Sequence, residues 1–148
     1  YFSNSNIYPQ QEYDVRKHEL KRFLEAQNVP YVEDEYDHHE WLSVIKGLED
    51  EPERGSRCSV CFQFRLSHAA KYAQEHGFHL LTTTLASSRW KNIRQIDTAG
   101  HLAVEAYPDV EWWDMNWRKG GLQNRRGELL RINEFYNQLY CGCEFSMR

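Results

Sequence analysis

Residues 58–88, CSVCFQFRLSHAAKYAQEHGFHLLTTTLASS, decide the predicted fold of this chain. Apolar residues recur at helical spacing over residues 62–73, and Gly77 follows where a glycine would end the helix. Residues 78–85 then predict a buried strand, because the run is apolar and rich in threonine. A helix that leads directly into a buried strand is typical of a sheet whose strands run parallel.

On either side of this stretch, helix patterns alternate with strand patterns. Helices are predicted over residues 10–27, 41–48, 91–107 and 122–139, and further strands over 29–32 and 110–115. This order predicts an α/β fold, with a mostly parallel sheet flanked by helices on both faces and a ligand site at the carboxyl ends of the strands. The length of 148 residues predicts a single domain, residues 1–148. Because the first residues resemble the end of a strand, the fold is expected to be N-terminally incomplete.

The composition predicts a folded and soluble protein. Hydrophobic residues make up 41% of the chain and aromatic residues 14%, more than a disordered chain carries. The sequence shows neither an apolar run long enough to span a bilayer nor a signal-peptide pattern, so a cytoplasmic protein without a membrane partner is expected. In that reducing compartment, grouped cysteines are typical of metal binding or catalysis.

The net charge of −4 hides an uneven distribution. Residues 1–53 carry 13 acidic and 5 basic side chains, a net charge of −8, whereas residues 54–148 carry 9 acidic and 13 basic ones, a net charge of +4. The second part holds all four cysteines. Local basic surface favours a polyanionic partner such as RNA, although an ordinary mixed surface explains the charge equally well.

The first cysteine pair is Cys58-x-x-Cys61, placed at the predicted start of a helix. A two-residue gap lets both sulfurs reach one metal ion. The helix N-terminus, with Arg57 and Arg65 nearby, is expected to favour the thiolate forms. Cys58 and Cys61 are therefore predicted as metal ligands, with a thioredoxin-like redox pair or two buried thiols as alternatives.

The second cysteine pair is Cys141-Gly142-Cys143. Spacing alone leaves two interpretations open. The pair could complete a four-cysteine zinc site, or it could form a reversible disulfide, because a ring closed across one residue is strained and easily reduced. The catalytic hypothesis requires that both pairs share one pocket, close enough for electrons to pass between them.

Two basic loops follow predicted strand ends. Arg89, Trp90 and Lys91 lie in one, and Arg118 and Lys119 lie in the other. Cations interleaved with an aromatic ring are suited to holding phosphates and stacking a base. The alternative is that the cations are solvated and Trp90 packs on the sheet edge.

Beyond these features, the chain resembles a known family, the QueH-type epoxyqueuosine reductases. The resemblance covers essentially the whole chain and depends on the order and spacing of its motifs. These are Asn6-Ile7-Tyr8-Pro9, Tyr36-Asp37, Gly47-Leu48-Glu49, Glu51-Pro52-Glu53-Arg54-Gly55, Arg57-Cys58, Cys61-Phe62, Arg65-Leu66, Thr82-Thr83-Thr84-Leu85, Lys91-Asn92 and Tyr140-Cys141-Gly142-Cys143.

The resemblance implies a fold like that of adenine-nucleotide α-hydrolases (HUP) and an oxidoreductase acting on tRNA. It implies reduction of epoxyqueuosine to queuosine at the wobble position, the last step of queuosine biosynthesis. A 4Fe–4S cluster would be held by Cys58 and Cys61 with two adjacent cysteines on an N-terminal strand end, and a mononuclear iron is a further candidate cofactor. Cys141 and Cys143 would form a redox-active disulfide. The electron donor is not implied.

The sequence departs from the family pattern at one place. It contains no adjacent cysteine pair, and the family's first strand, first helix and most of its second strand have no counterpart. The competing hypothesis is a zinc-stabilised RNA-binding module that uses Cys58, Cys61, Cys141 and Cys143. A small thiol–disulfide oxidoreductase is a third, disfavoured because no tryptophan precedes the first pair.

Overall fold

The computed structural model describes residues 1–147, in which α-helices alternate with short parallel strands. The helices are α1 (Gln10–Ala26), α2 (His38–Val44), α3 (Ser56–Glu75), α4 (Ile93–Val104) and α5 (Leu122–Ile132), and the strands are β1 (Leu80–Leu81) and β2 (Glu111–Trp112). Short 3-10 helices occupy Thr84–Ser87 and Glu144–Ser146. The α/β class is confirmed. None of the helices in this range is long and apolar enough to cross a membrane.

The sheet is smaller than predicted. Strands β1 and β2 pair in parallel, with Leu80 opposite Glu111 and Leu81 opposite Trp112. The predicted strand over residues 78–85 is wrong at its end, because the Thr83 hydroxyl accepts a hydrogen bond from the Leu85 N–H at 3.2 Å and begins a 3-10 turn. In place of the strand over residues 29–32, a single parallel bridge joins Phe2 to Glu33.

Helices cover one face of this sheet within the described residues. Leu81 and the buried Trp112 pack against α3 and α4, whereas Leu80, on the opposite face, is 55% exposed. The prediction of a sheet covered on both faces is therefore wrong for this part of the chain. The buried cluster between α3, α4 and β2 is rich in alanine, which lets the helices approach closely; it comprises Phe62, Leu66, Ala70, Ile96, Ala99, Ala103 and Trp112.

One predicted helix end is confirmed and another is wrong. Gly77 has a φ of +71° and ends α3 as predicted, with the Phe78 N–H donating to the Ala73 carbonyl at 2.8 Å. Asp37 caps α2 by accepting the Glu40 N–H at 2.8 Å. Helix α5 ends at Ile132 and not near residue 139.

The N-terminal segment and the C-terminal loop lie side by side. The Tyr8 N–H donates to the Gly142 carbonyl at 2.9 Å, and the Tyr140 hydroxyl donates to the Tyr8 carbonyl. The Tyr36 hydroxyl binds the Ile7 carbonyl at 2.7 Å. These contacts hold residues 140–142 against residues 7 and 8.

Candidate functional site

All four thiols line one pocket. Cys58 and Cys61 come from the first turns of α3, and Cys141 and Cys143 from the loop of residues 140–143, called here the C-G-C loop. This confirms the prediction that the two pairs share a pocket. The four cysteines are free. The remaining residues of this thiol pocket are Asn6, Trp41, Arg57, Phe62 and Arg65.

Helix α4 fixes the start of α3 and so places Cys58. The Gln95 side-chain amide donates to the Arg54 and Gly55 carbonyls at 3.1 and 3.0 Å, and to the Ser59 hydroxyl at 2.6 Å. The Arg54 N–H in turn donates to the Cys58 sulfur at 3.3 Å. The position of Cys58 at the start of α3 therefore depends on the backbone of Arg54 and Gly55, which Gln95 of α4 binds.

The two arginines near the first pair mainly organise backbone. The buried Arg57 donates to the Leu48 and Glu49 carbonyls at 3.2 and 2.6 Å, which fixes the loop before α3. Arg65 donates to the Ser3 carbonyl at 2.9 Å and to the Asn4 side chain. Both arginines therefore hold backbone segments in place, a role that their charge alone does not predict.

Burial controls the protonation of the first pair. It raises the pKa of the Cys61 thiol to about 11, although the Arg65 charge opposes the shift. Burial also raises the pKa of Cys58, opposed by the Arg54 N–H. The expectation that the helix N-terminus and neighbouring arginines favour thiolates is therefore wrong for this structure, because desolvation outweighs them. A bound cation would be needed to hold both sulfurs as thiolates at neutral pH.

The second pair is asymmetric. Cys141 is exposed, and Lys91 donates to its sulfur at 2.9 Å. Cys143 is buried beside Trp41, Ile45 and Cys61. Lys91, which the sequence assigned to a substrate-binding loop, therefore reaches the thiol pocket itself.

The other basic loop residues divide into two kinds. Arg118 donates to the Ala86 and Lys91 carbonyls at 3.2 and 3.3 Å, so its guanidinium joins two loops. Arg89 and Lys119 are exposed. Trp90 is 68% exposed with the Arg89 guanidinium 5.1 Å from its ring, so the alternative that Trp90 packs on the sheet edge is wrong.

Sequence reasoning missed three buried side chains at the site. Trp41 and Asn6 line the thiol pocket, and the Asn6 Oδ1 atom is buried without a hydrogen-bond partner in the described structure. Arg16 binds the C-G-C loop from α1. Asn6 belongs to a motif that the sequence analysis singled out, but neither Trp41 nor Arg16 carries a local pattern that marks it.

Comparison with known proteins accounts for the combination of motifs. The family model described as epoxyqueuosine reductase QueH matches residues 1–148. The chain belongs to the QueH family. Proteins named epoxyqueuosine reductase QueH include those of Histophilus somni and Acinetobacter baylyi, 49% and 47% identical over 148 residues that cover 100% of the chain. The relative from Thermotoga maritima is 32% identical over 150 residues, covering 99% of the chain.

The chain spans 61%, 68% and 78% of the lengths of these three QueH relatives. Within that span, QueH motifs far apart in sequence meet at the thiol pocket. Asn6 comes from the first motif, Arg57 and Cys58 from the middle of the chain, and Cys141 from the last motif. Motifs that carry the sequence resemblance therefore lie together in the folded structure.

The residues present fit part of a metal site. No group of three or more potential ligands in residues 1–147 has an arrangement suited to a metal ion, which does not favour the four-cysteine zinc module. Cys58 and Cys61 supply two thiols, and the Trp41 indole, whose N–H lowers the pKa of Cys61 through a hydrogen bond, lines the same pocket. N–H donors of this kind suit the sulfur atoms of a cluster.

Proposed function

We propose that this QueH protein reduces epoxyqueuosine to queuosine at the wobble position of tRNA, the last step of queuosine biosynthesis. The observation that carries the proposal is the convergence of both cysteine motifs on one pocket in a chain matched throughout by the QueH family. A HUP-like fold and a cytoplasmic location belong to the same proposal.

The proposed reaction is a two-electron deoxygenation. Two electrons and two protons enter, the two C–O bonds of the epoxide break, an alkene forms and the oxygen leaves as water. A pair of thiols that closes to a disulfide releases two electrons and two protons. Cys141 and Cys143 are assigned this part, since one is exposed to a reductant and the other is buried in the pocket.

Cys58 and Cys61 are assigned to a 4Fe–4S cluster, as two of its ligands. When bound, such a cluster accepts and passes on single electrons. Asn6 and Trp41 line the same pocket and limit the access of water to it. An additional mononuclear iron stays a prediction, as does the electron donor.

The tRNA is assigned to the exposed basic loops. Trp90 offers an aromatic face for stacking, and Arg89 and Lys119 offer charges for phosphates. Arg118 is assigned to holding these loops together through its carbonyl contacts. Lys91 lies between the loops and the thiol pocket, where substrate and sulfur would meet.

The test is metal and sulfide analysis of the anaerobically purified full-length protein, followed by an assay on tRNA that contains epoxyqueuosine. We expect iron and sulfide with visible absorption, loss of both in Cys58→Ser and Cys61→Ser, and queuosine as the product. Cys141→Ser and Cys143→Ser are matched controls that should keep the iron and lose reduction. Stoichiometric zinc with little iron would overturn the cluster, and iron-loaded protein without queuosine formation would overturn the activity.

A further inference from the structure

Arg16 binds the backbone of the C-G-C loop from helix α1. It lies in α1, is only 8% exposed, and donates from Nη1 to the Cys141 carbonyl and from Nη2 to the Tyr140 carbonyl, both at 3.0 Å. Its Nε donates to the Glu12 carboxylate at 2.8 Å. A guanidinium forked onto two consecutive carbonyls fixes the backbone between them.

The neighbouring glycine shows how closely the loop is held. Gly142 has a φ of +133°, and an added Cβ would lie 3.1 Å from the Arg16 Nη1 atom and 3.1 Å from the Ile7 Cγ1 atom. The Gly142 carbonyl accepts the Tyr8 N–H at 2.9 Å. Three consecutive carbonyls, those of residues 140–142, are thus bound by groups outside the loop.

The conformation that these contacts hold is that of two separate thiols. The Cys141 sulfur lies 2.9 Å from the Lys91 ammonium, whereas Cys143 packs beside Trp41 and Ile45. A disulfide requires the two sulfurs to approach to about 2.05 Å, with a specific dihedral angle. Closing the bond would turn the Cys141 sulfur away from Lys91. The Arg16 contacts to the Tyr140 and Cys141 carbonyls oppose any shift of the backbone that accompanies this turn.

We propose that Arg16 is a positioning residue that holds the C-G-C loop in its dithiol conformation and thereby raises the reduction potential of the Cys141–Cys143 pair. The inference depends on the redox role given to this pair under the proposed function. In the half-reaction, the disulfide takes up two electrons and two protons and becomes two thiols. With glutathione as the reductant, two glutathione molecules supply these and join as glutathione disulfide.

The experiment equilibrates the reduced, metal-free protein in glutathione buffers of graded ratio, then alkylates the free thiols and digests with trypsin. Cleavage separates the pairs, because residues 58–65 form one peptide and residues 132–148 another. Mass spectrometry then gives the fraction of peptide 132–148 that carries an internal disulfide and distinguishes it from peptide 132–148 linked to peptide 58–65, because Cys143 also lies beside Cys61. Arg16→Lys keeps the charge but not the fork, and Arg16→Gln removes both.

In both variants we expect the equilibrium constant for disulfide formation to rise about tenfold, a potential about 30 mV more negative. The matched control is Arg22→Gln, because Arg22 also lies on α1, pairs with Glu19 and donates to a distant carbonyl, that of Asn133, at 3.0 Å. The control should keep the wild-type potential even if its melting temperature falls.

The outcomes separate the inference from the function on which it depends. If the wild-type pair forms no disulfide at any ratio, the redox role fails and the inference with it. If the pair forms but both Arg16 variants keep the wild-type potential, only the positioning role is overturned. Should Arg16→Gln not fold, Glu12→Ala removes the acceptor that anchors the guanidinium. An unchanged potential in that variant and in Arg16→Lys would equally overturn the inference.

Discussion

Gly100 of α4 lies directly against the indole ring of Trp112 in β2. An added Cβ on Gly100 would overlap the Cε2 and Cδ2 atoms of the ring. Trp112 is buried in the cluster between α3 and α4. This contact therefore sets how closely α4 approaches the sheet, and through Gln95 of the same helix it bears on the backbone that places Cys58.

Gly100→Ala should destabilise the protein. Alanine favours a helix over glycine by about 1 kcal/mol, but overpacking a rigid buried ring costs about 1–3 kcal/mol and should outweigh that gain. The measurement is the free energy of unfolding in urea. Gly127→Ala is the matched control, because Gly127 lies within α5 with open space around it and should become more stable. A Gly100→Ala variant as stable as wild type would show that Trp112 can move aside.

Asp34→Asn should destabilise the protein at neutral pH. Burial alone would raise the pKa of Asp34, but hydrogen bonds from Ser3, Tyr1 and His68 outweigh it and lower the pKa. Two of these bonds measure 2.6 Å from the Ser3 hydroxyl and 2.8 Å from His68 Nδ1. Because the folded pKa lies below the unfolded one, the stabilisation is present above the unfolded pKa and is lost as pH falls through the folded pKa.

The expected loss for Asp34→Asn at pH 7 is about 1–3 kcal/mol, as for a hydrogen-bonded charge. Urea unfolding at pH 7 and at acid pH would show the difference from wild type shrinking in acid. Asp50→Asn is the control, since the Asp50 side chain is exposed. A difference that stays constant with pH would mean that the charge of Asp34 contributes nothing.

The presence of the helices was predictable because their signals are local, although several of their ends were not. Apolar spacing located α3, and the glycine signal at Gly77 matched the observed end of that helix. The strand over residues 78–85 was overestimated because the Thr83 hydroxyl competes for the Leu85 N–H, which strand propensity does not describe. Local pattern therefore fixed the helices better than the sheet.

The cysteines of the site were predictable from the sequence, but the residues that position them were not. Grouped cysteines predict a shared pocket from spacing alone, and they do line one. Arg16 binds a carbonyl 125 positions away, so nothing near it in sequence marks it. The predicted direction of the Cys61 pKa shift was wrong for the same reason. The helix N-terminus is a local feature visible in the sequence, whereas the burial that raises the pKa is produced by tertiary packing.

Lys119→Ala and Arg118→Ala should separate tRNA contact from structure. Lys119 is exposed, so its loss should weaken tRNA binding and reduce the salt dependence of the affinity, by about 0.7–0.9 in the log–log slope, without changing the melting temperature. Arg118 joins two loops through the Ala86 and Lys91 carbonyls, so its loss should cost about 2 kcal/mol of stability.

Fluorescence titration with tRNA at several salt concentrations measures the slope, and thermal unfolding measures the stability. Lys71→Ala is the control for a lysine outside these loops, since Lys71 lies exposed on α3. Equal slopes for Lys119→Ala and wild type would remove the second basic loop from the tRNA interface.

The four thiols should react with iodoacetamide at very different rates in the reduced, metal-free protein. Cys141 is exposed and should react first. Cys61 is buried, and its pKa of about 11 leaves about one thiolate in a thousand at pH 8, so it should react last. Because the folded protein holds Cys61 protonated, the rate of its reaction should keep rising with pH well beyond 8.5, the pKa of an ordinary cysteine.

Tandem mass spectrometry of peptide 58–65 distinguishes Cys61 from Cys58, and labelling in urea, where the rates should become similar, is the control. Equal labelling of Cys61 and Cys141 in the folded protein at pH 8 would show that the thiol pocket is open to solvent and that burial does not control its chemistry.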